Sequence, residues 1–273
     1  MKPAPFRYHR PSSLAQALGI LAEHGADAKV IAGGQSLGPM MNMRLAQPAE
    51  LVDLNGLEGL ENIQDRGGWI EVGALVRHHV LAASPLVRAA CPLLAEAART
   101  IGHYAIRSRG TLGGSLAHAD PAAQLPLVAA TLGAEMAVVG RRGERRVPAS
   151  EFFVSLMTTV LEPDEILVSA RFPKAAPGER HAYQQFSRRQ GDFAIAAVAA
   201  TLNSNQLRLG IGGVEDKPVV LADLKSLEPA AAARAAREAV HPTENPRVPA
   251  LYRRELVEVL ARRVLLKVLD LKK

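Results

Sequence analysis

Two short stretches hold the residue types best suited to chemistry in this sequence. Ala32, Gly33, Gly34, Gln35, Ser36 and Leu37 follow the apolar run Lys29 to Ile31 and precede Pro39. Thr111, Leu112, Gly113, Gly114, Ser115 and Leu116 repeat the arrangement far downstream: paired glycines with a small hydroxyl residue and Leu close behind. A pyrophosphate is large and charged, and several backbone N–H groups together hold it well. Side chains block that approach, so glycine permits it. Small hydroxyls such as Ser36, Thr111 and Ser115 add donors. Either stretch alone reads first as a turn; two together can grip one diphosphate from two sides. Neither matches the dinucleotide fingerprint G-x-G-x-x-G or the phosphate loop that ends in Lys-Ser/Thr. The residues alone therefore point to a phosphate-bearing ligand outside the usual Rossmann and kinase classes.

Other candidates point elsewhere. His78, His79, His103 and His118 lack carboxylate or cysteine partners at ligand spacing, so they read as surface or loop histidines, and no metal site is expected. Asp164 and Glu165 read as a turn and a strand start. Arg188, Arg189 and Asp192 read as a local ion pair shaping a loop. Cys91 is the single cysteine, which excludes a disulfide framework and an iron–sulfur cluster held within this chain. It stands before Pro92 and an apolar run, so packing is favoured over catalysis.

The elements that must position the glycine stretches are readable in part. At 273 residues the chain is long enough for two or three cores. Hydrophobic content of 48% and charged content of 22% are ordinary for a globular protein. The net charge is +6, but arginines are scattered and aromatics make up 4%, which disfavours a nucleic-acid base platform. No apolar run reaches membrane-span length and no apolar leader follows Met1, so a cytoplasmic protein is expected.

Ser12 and Ser13 cap a helix marked by Leu14, Leu18 and Leu21; Lys29–Ile31 and Leu51–Leu54 read as strands. A hairpin around Arg66, Gly67 and Gly68, helices over 76–83 and 92–100, and a helix over 122–132 closed by Gly133 follow. Residues 134–139 form a strand, Arg141 to Arg146 its turn, and 165–172 a further strand. Lys174 to Glu179 is the clearest linker. Three strands (182–187, 194–202, 207–214) and two helices (229–240, 252–269) close the chain. The expected units are 1–57, 58–173 and 174–273.

The segments AGGQSLGPMMNMRLAQP, IRSRGTLGGSLAHADPAAQLP, TTVLEPDEIL and SRRQGDFAIAAVAA, in that order, resemble the FAD-binding medium subunit of the carbon monoxide dehydrogenase and xanthine dehydrogenase family of molybdenum hydroxylases. The resemblance runs from Phe6 to the C-terminal helices. It implies an α+β protein: a two-subdomain FAD-binding fold of the vanillyl-alcohol oxidase (PCMH) type, then a C-terminal α/β domain of a three-stranded sheet and helices. It implies that Ala32 to Ser36 and Thr111 to Ser115 bind the FAD diphosphate through backbone amides. Lys29, Leu37, Ile101, Asp120 and Leu161 fall at or beside positions that line FAD in relatives, and Phe193 lies in a motif that approaches the isoalloxazine ring. At Gln124 many relatives carry an Asp that contacts the ribose side; an amide also bonds a hydroxyl. At Gln184 some relatives carry a Lys near the flavin.

The implied function is that of the FAD subunit in a heterotrimeric molybdenum hydroxylase, with a dimer of heterotrimers as the assembly. A molybdopterin-type cofactor is expected on a large partner subunit and [2Fe-2S] clusters on a small one. No catalytic side chain is required here. A stand-alone FAD oxidase or reductase of related fold, and a non-catalytic assembly subunit, are the alternatives.

Overall fold

The computed structural model describes residues 2–204, 206–222, 224 and 228–271. The first unit is a three-stranded parallel sheet in which Glu50–Asp53 lies between Arg7–His9 and Ala28–Ile31. Helix Leu14–His24 covers one face. Its N-cap Ser13 accepts a hydrogen bond from the Gln16 amide, and Gly25, at φ 52°, stops it. Ala17 and Leu21 pack on Ala28, Val52 and Leu54, and Leu75 and Ile166 of the following segment complete this core.

The second unit is a five-stranded sheet in the order Ile63–Arg66, Trp69–Gly73, Ile166–Pro173, Glu135–Gly140, Gly143–Pro148. The hairpin turn at Gly67 and Gly68 stands as the sequence reading has it, with Gly67 at φ 72°. Arg145 and Arg146 belong to the last strand, so the turn is confined to Arg141 and Arg142. The reason is pairing: Arg145 and Arg146 face Val138 and Ala137 across the ladder. Helices His78–Ala83, Pro85–Ala90, Pro92–Arg99 and Gln124–Leu132 cover the inner face. Cys91 lies in that core, with Sγ 3.1 Å from the Pro173 carbonyl. Burial pushes its thiol up to about 12, which suits packing and not nucleophilic chemistry. Helix Gln124–Leu132 begins later than the sequence suggests. Asp120 Oδ1 accepts the Ala122 amide and holds 120–123 as a turn; Gly133 closes the helix at φ 67°.

The C-terminal sheet has four strands, not three, in the order Arg180–Phe186, Ala196–Asn203, Gln206–Gly212, Val219–Leu221. The last is too short and too close to Pro218 to show a period in the sequence. Strand Ala196–Asn203 is covered on both faces. Ala197 and Ala199 join the core of the second unit, whereas Ala196, Val198, Ala200 and Leu202 pack under helices Pro229–Glu238 and Ala250–Val268. Small side chains here permit close approach: a Cβ on Gly210 would lie 1.9 Å from Thr131 Oγ1 of helix Gln124–Leu132. Among the described residues no helix is long and apolar enough to cross a membrane.

Candidate functional site

Strand Ala28–Ile31 runs straight into the first glycine stretch, and the short helix Leu37–Asn42 begins beyond it. Gly34 adopts φ 67°, which glycine reaches without strain. From Gly33 through Leu37, five consecutive amides have no acceptor within the described chain. A half-buried row of free N–H groups is the kind of feature from which backbone anion nests are built. The Gln35 side chain turns back, its Nε2 donating to the Gly33 carbonyl at 2.8 Å, and so stays out of the row.

The second glycine stretch is not an open loop. Thr111 caps helix Leu112–His118, with Oγ1 accepting the Gly114 amide at 3.0 Å. The Leu112 amide donates to Val76, Gly113 to Ala74 and Ser115 to Thr111 carbonyls at 2.9, 2.8 and 3.0 Å. Four of the five amides expected to grip a diphosphate are therefore already committed, because a helix start must satisfy its own donors. Gly113 is needed for packing, since a Cβ there would lie 2.5 Å from the Ala74 Cβ. Gly114 is exposed and Ser115 half-buried, so these two present the surface of this stretch.

Tertiary packing brings the two stretches together at one point. A Cβ on Gly33 would lie 2.2 Å from the Arg109 carbonyl oxygen and 2.8 Å from the Gly110 Cα. Backbone meets backbone there, just ahead of Thr111. Two side chains that the sequence reading did not place at the site, Asn55 and Arg77, hold that contact. Asn55 Nδ2 donates to the Ala32 carbonyl at 2.8 Å, and its Oδ1 accepts from Arg77 at 2.6 Å. The other guanidinium nitrogen of Arg77 donates to the Arg109 carbonyl, so Arg77 bridges the loops. Burial pulls the Arg77 pKa down from its ordinary value, and the group remains a cation beside the free amides.

His78, read from the sequence as a surface or loop histidine, is 6% exposed and faces the second loop. Its Nε2 donates to the Thr111 carbonyl at 2.8 Å, and its amide donates to the Gly110 carbonyl at 3.0 Å. Nδ1 is buried without a partner. Burial pushes the imidazole pKa down to about 4. The ring is therefore neutral when folded, while an unfolded chain takes up a proton below about pH 6.5. Stability contributed here is full above that pH and lost as pH falls toward about 4, by about 3 kcal/mol in all. Denaturant titrations of the wild type are expected to show this loss, and His78→Gln to remove one proton from the linkage. An unchanged pH slope in the variant refutes the assignment.

The remaining predicted positions scatter around this junction. Lys29 is exposed on the strand before the first stretch. Ile101 is 9% exposed, and its carbonyl accepts from Arg107 at 2.9 Å, which shapes the segment leading to Arg109. Leu161 follows the short strand Thr158–Thr159, which packs on helix Leu112–His118. Gln124 is buried; its Nε2 donates to Gln185 Oε1 at 2.9 Å, which also accepts from Tyr183 OH at 2.6 Å. Gln184 is half-buried on strand Arg180–Phe186. Phe193 is 60% exposed. Its loop crosses the 101–104 segment, since a Cβ on Gly191 would lie 2.6 Å from the His103 ring. Among the described residues Asp192 makes no ion pair with Arg188 or Arg189. The loop is closed by the Ser187 hydroxyl on the Arg189 carbonyl and by the Asp192 amide on the same oxygen. Glu165, read as a strand start, pairs with Arg145, and its carboxyl is held below the usual range by that guanidinium. Two surface cavities, of about 300 and 390 Å³, lie on the five-stranded sheet around Arg66, Glu71 and Arg146, apart from the glycine stretches.

Comparison with known proteins gives this geometry a context. Residues 4–175 match the family described as FAD binding domain in molybdopterin dehydrogenase, and residues 181–268 match the CO dehydrogenase flavoprotein C-terminal domain. The chain is 39% identical to the 6-hydroxypseudooxynicotine dehydrogenase complex subunit alpha of Paenarthrobacter nicotinovorans, over 98% of this chain and 96% of that one. Its fold superposes on a chain of the Hydrogenophaga pseudoflava carbon monoxide dehydrogenase with a TM-score of 0.94 at 35% identity, covering 99% of each. It superposes on a chain of quinoline 2-oxidoreductase from Pseudomonas putida 86 with a TM-score of 0.93 at 34% identity, again covering 99% of each. With a free amide row suited to a diphosphate and family matches along nearly its whole length, the chain belongs to the FAD-binding medium subunits of the molybdenum hydroxylases, the oxidoreductase family of carbon monoxide dehydrogenase and xanthine dehydrogenase.

Proposed function

We propose that this chain is the FAD subunit of a heterotrimeric molybdenum hydroxylase, taking electrons from [2Fe-2S] clusters on a small partner and passing them to an external acceptor. The molybdopterin-type cofactor belongs to a large partner, and two heterotrimers pair. The single buried cysteine supports this division, because clusters need thiolates that this chain does not supply. FAD supplies the one- and two-electron chemistry when bound; the protein binds and orients it.

The observation that carries the reading is the row of five free amides from Gly33 to Leu37, fixed against Arg109 and Gly110. These groups fit a diphosphate: consecutive backbone donors left without acceptors, with the Arg77 cation tied to the adjoining Arg109 carbonyl. Ala32 is held by Asn55 and completes the curve. Thr111 to Ser115 support the other side, chiefly through the exposed Gly114 and the Ser115 hydroxyl. Lys29, Leu37, Ile101, Asp120 and Leu161 line the flanks, and Phe193 approaches the ring system. Gln124 takes the ribose side, tied to Gln185, so that its free carbonyl oxygen accepts a hydroxyl proton.

The test is purification with and without the co-expressed partners. The chain is expected to come out yellow with one FAD, and its flavin to be bleached by substrate only once the partner chains are present. Colourless protein indifferent to added FAD overturns the reading. Bleaching by substrate in the isolated chain overturns the dependence on partners.

A further inference from the structure

Three potential metal ligands converge away from the glycine stretches. His9 ends the first strand, Glu50 begins its parallel neighbour, and the register pairs Arg7 with Glu50 and His9 with Val52. Side chains alternate along strands, so Arg7, His9, Glu50 and Val52 share one face. Helix Leu14–His24 packs on that face through Ala17 and Leu21, and its last residue is His24. The helix therefore delivers a second imidazole to the place where His9 and Glu50 already meet.

The distances are those of a ligand set. His9 Nε2 stands 2.6 Å from Glu50 Oε2. The two imidazole rings stack with centroids 6.1 Å apart. One ligand atom from each of His9, His24 and Glu50 lies within 4.8 Å of the other two. Tetrahedral zinc, at about 2.0–2.1 Å from each donor, needs donors about 3.4 Å apart, so small side-chain rotations close the site. Glu50 is 2% exposed, and its other oxygen is held by Arg7 Nε at 2.7 Å. That contact orients the carboxylate and leaves Oε2 for a metal, as outer-shell partners of ligating carboxylates do. Glu23 Oε1 lies 3.8 Å from His24 Nε2 and offers a fourth donor at the open side.

We propose that His9, His24 and Glu50 form a binding site for a borderline divalent transition cation of the zinc class. Two imidazoles and one carboxylate favour zinc, nickel or copper; calcium and magnesium prefer all-oxygen sets. A His9–Glu50 pair alone needs no second imidazole. The occupied site ties the first strand and the end of the helix to the central strand. Asp53, which accepts from Asn55 and so supports the first glycine stretch, ends that strand about 10 Å away.

The experiment titrates the full, tag-free, FAD-loaded chain with Zn²⁺ by calorimetry, and with Co²⁺ by visible absorption. One equivalent is expected, with ligand-field bands for Co²⁺ and a thermal midpoint that rises with Zn²⁺. His24→Gln keeps a polar side chain at the helix end but removes the ligand, and His24→Ala serves if that variant folds poorly. Either is expected to weaken Zn²⁺ binding ~10-fold or more and abolish the Co²⁺ bands. His118→Ala, outside the cluster, is expected to leave both unchanged. Equal affinity in the wild type and the His24 variants, or no saturable binding by the wild type, overturns the site.

Discussion

Gly33→Ala is expected to yield a folded chain that no longer retains FAD. The added methyl carbon would lie 2.2 Å from the Arg109 carbonyl oxygen, 2.8 Å from its carbon and 2.8 Å from the Gly110 Cα. All three are backbone atoms, so no flexible side chain can swing aside. The loops must separate, and the row of free amides loses its backing. Strain of this kind costs about 1–3 kcal/mol or more, and ~3 kcal/mol corresponds to ~100-fold in the FAD dissociation constant. Gly38→Ala is the control, because nothing lies within 4 Å of its added carbon. Flavin-to-protein ratio after gel filtration and titration of the apoprotein with FAD measure the effect. Stoichiometric, tightly bound flavin in Gly33→Ala would refute the close approach and the role assigned to it.

Arg77→Met is expected to weaken FAD binding ~10- to 100-fold while the chain stays folded. Arg77 links the two loops, reaching Ala32 through Asn55 and the Arg109 carbonyl directly. Charge-assisted hydrogen bonds contribute about 1.5–3 kcal/mol each when a partner is left behind, and the lost cation also stood beside the amide row. Met keeps much of the aliphatic stem, so packing changes little. Asn55→Ala should lose part of the same affinity, since it cuts the bridge at its other end. The double variant tests the network: a coupling of about 0.5–3 kcal/mol marks one unit, and strict additivity would show that the two residues act separately.

The glycine pairs, the hairpin at Gly67 and Gly68, and most strands and helices were legible because each depends on local rules. Period, caps and turn residues act within a few positions, as Ser13, Gly133 and the alternation of Ile166–Pro173 show. The fourth C-terminal strand was not legible, since Val219–Leu221 is defined by its neighbour Gln206–Gly212 and not by a pattern of its own. The sequence also does not show that the second glycine stretch is a helix start with most of its amides committed, for a related reason. Whether Leu112 and Gly113 have free amides depends on Val76 and Ala74, almost forty positions earlier.

The sequence by itself pointed to a phosphate-bearing ligand, because paired glycines before small hydroxyls open the backbone to it, and the resemblance of four ordered segments pointed to the family. Tertiary structure alone decided which amides remain free to bind and what holds them. Gly33 meets Arg109, Arg77 spans Asn55 and Arg109, and a histidine read from the sequence as a surface or loop residue lies buried and neutral under Thr111. The physical reason is that a backbone donor is satisfied or left open by whatever packs against it. That partner comes from distant chain segments and leaves no periodic trace in the sequence.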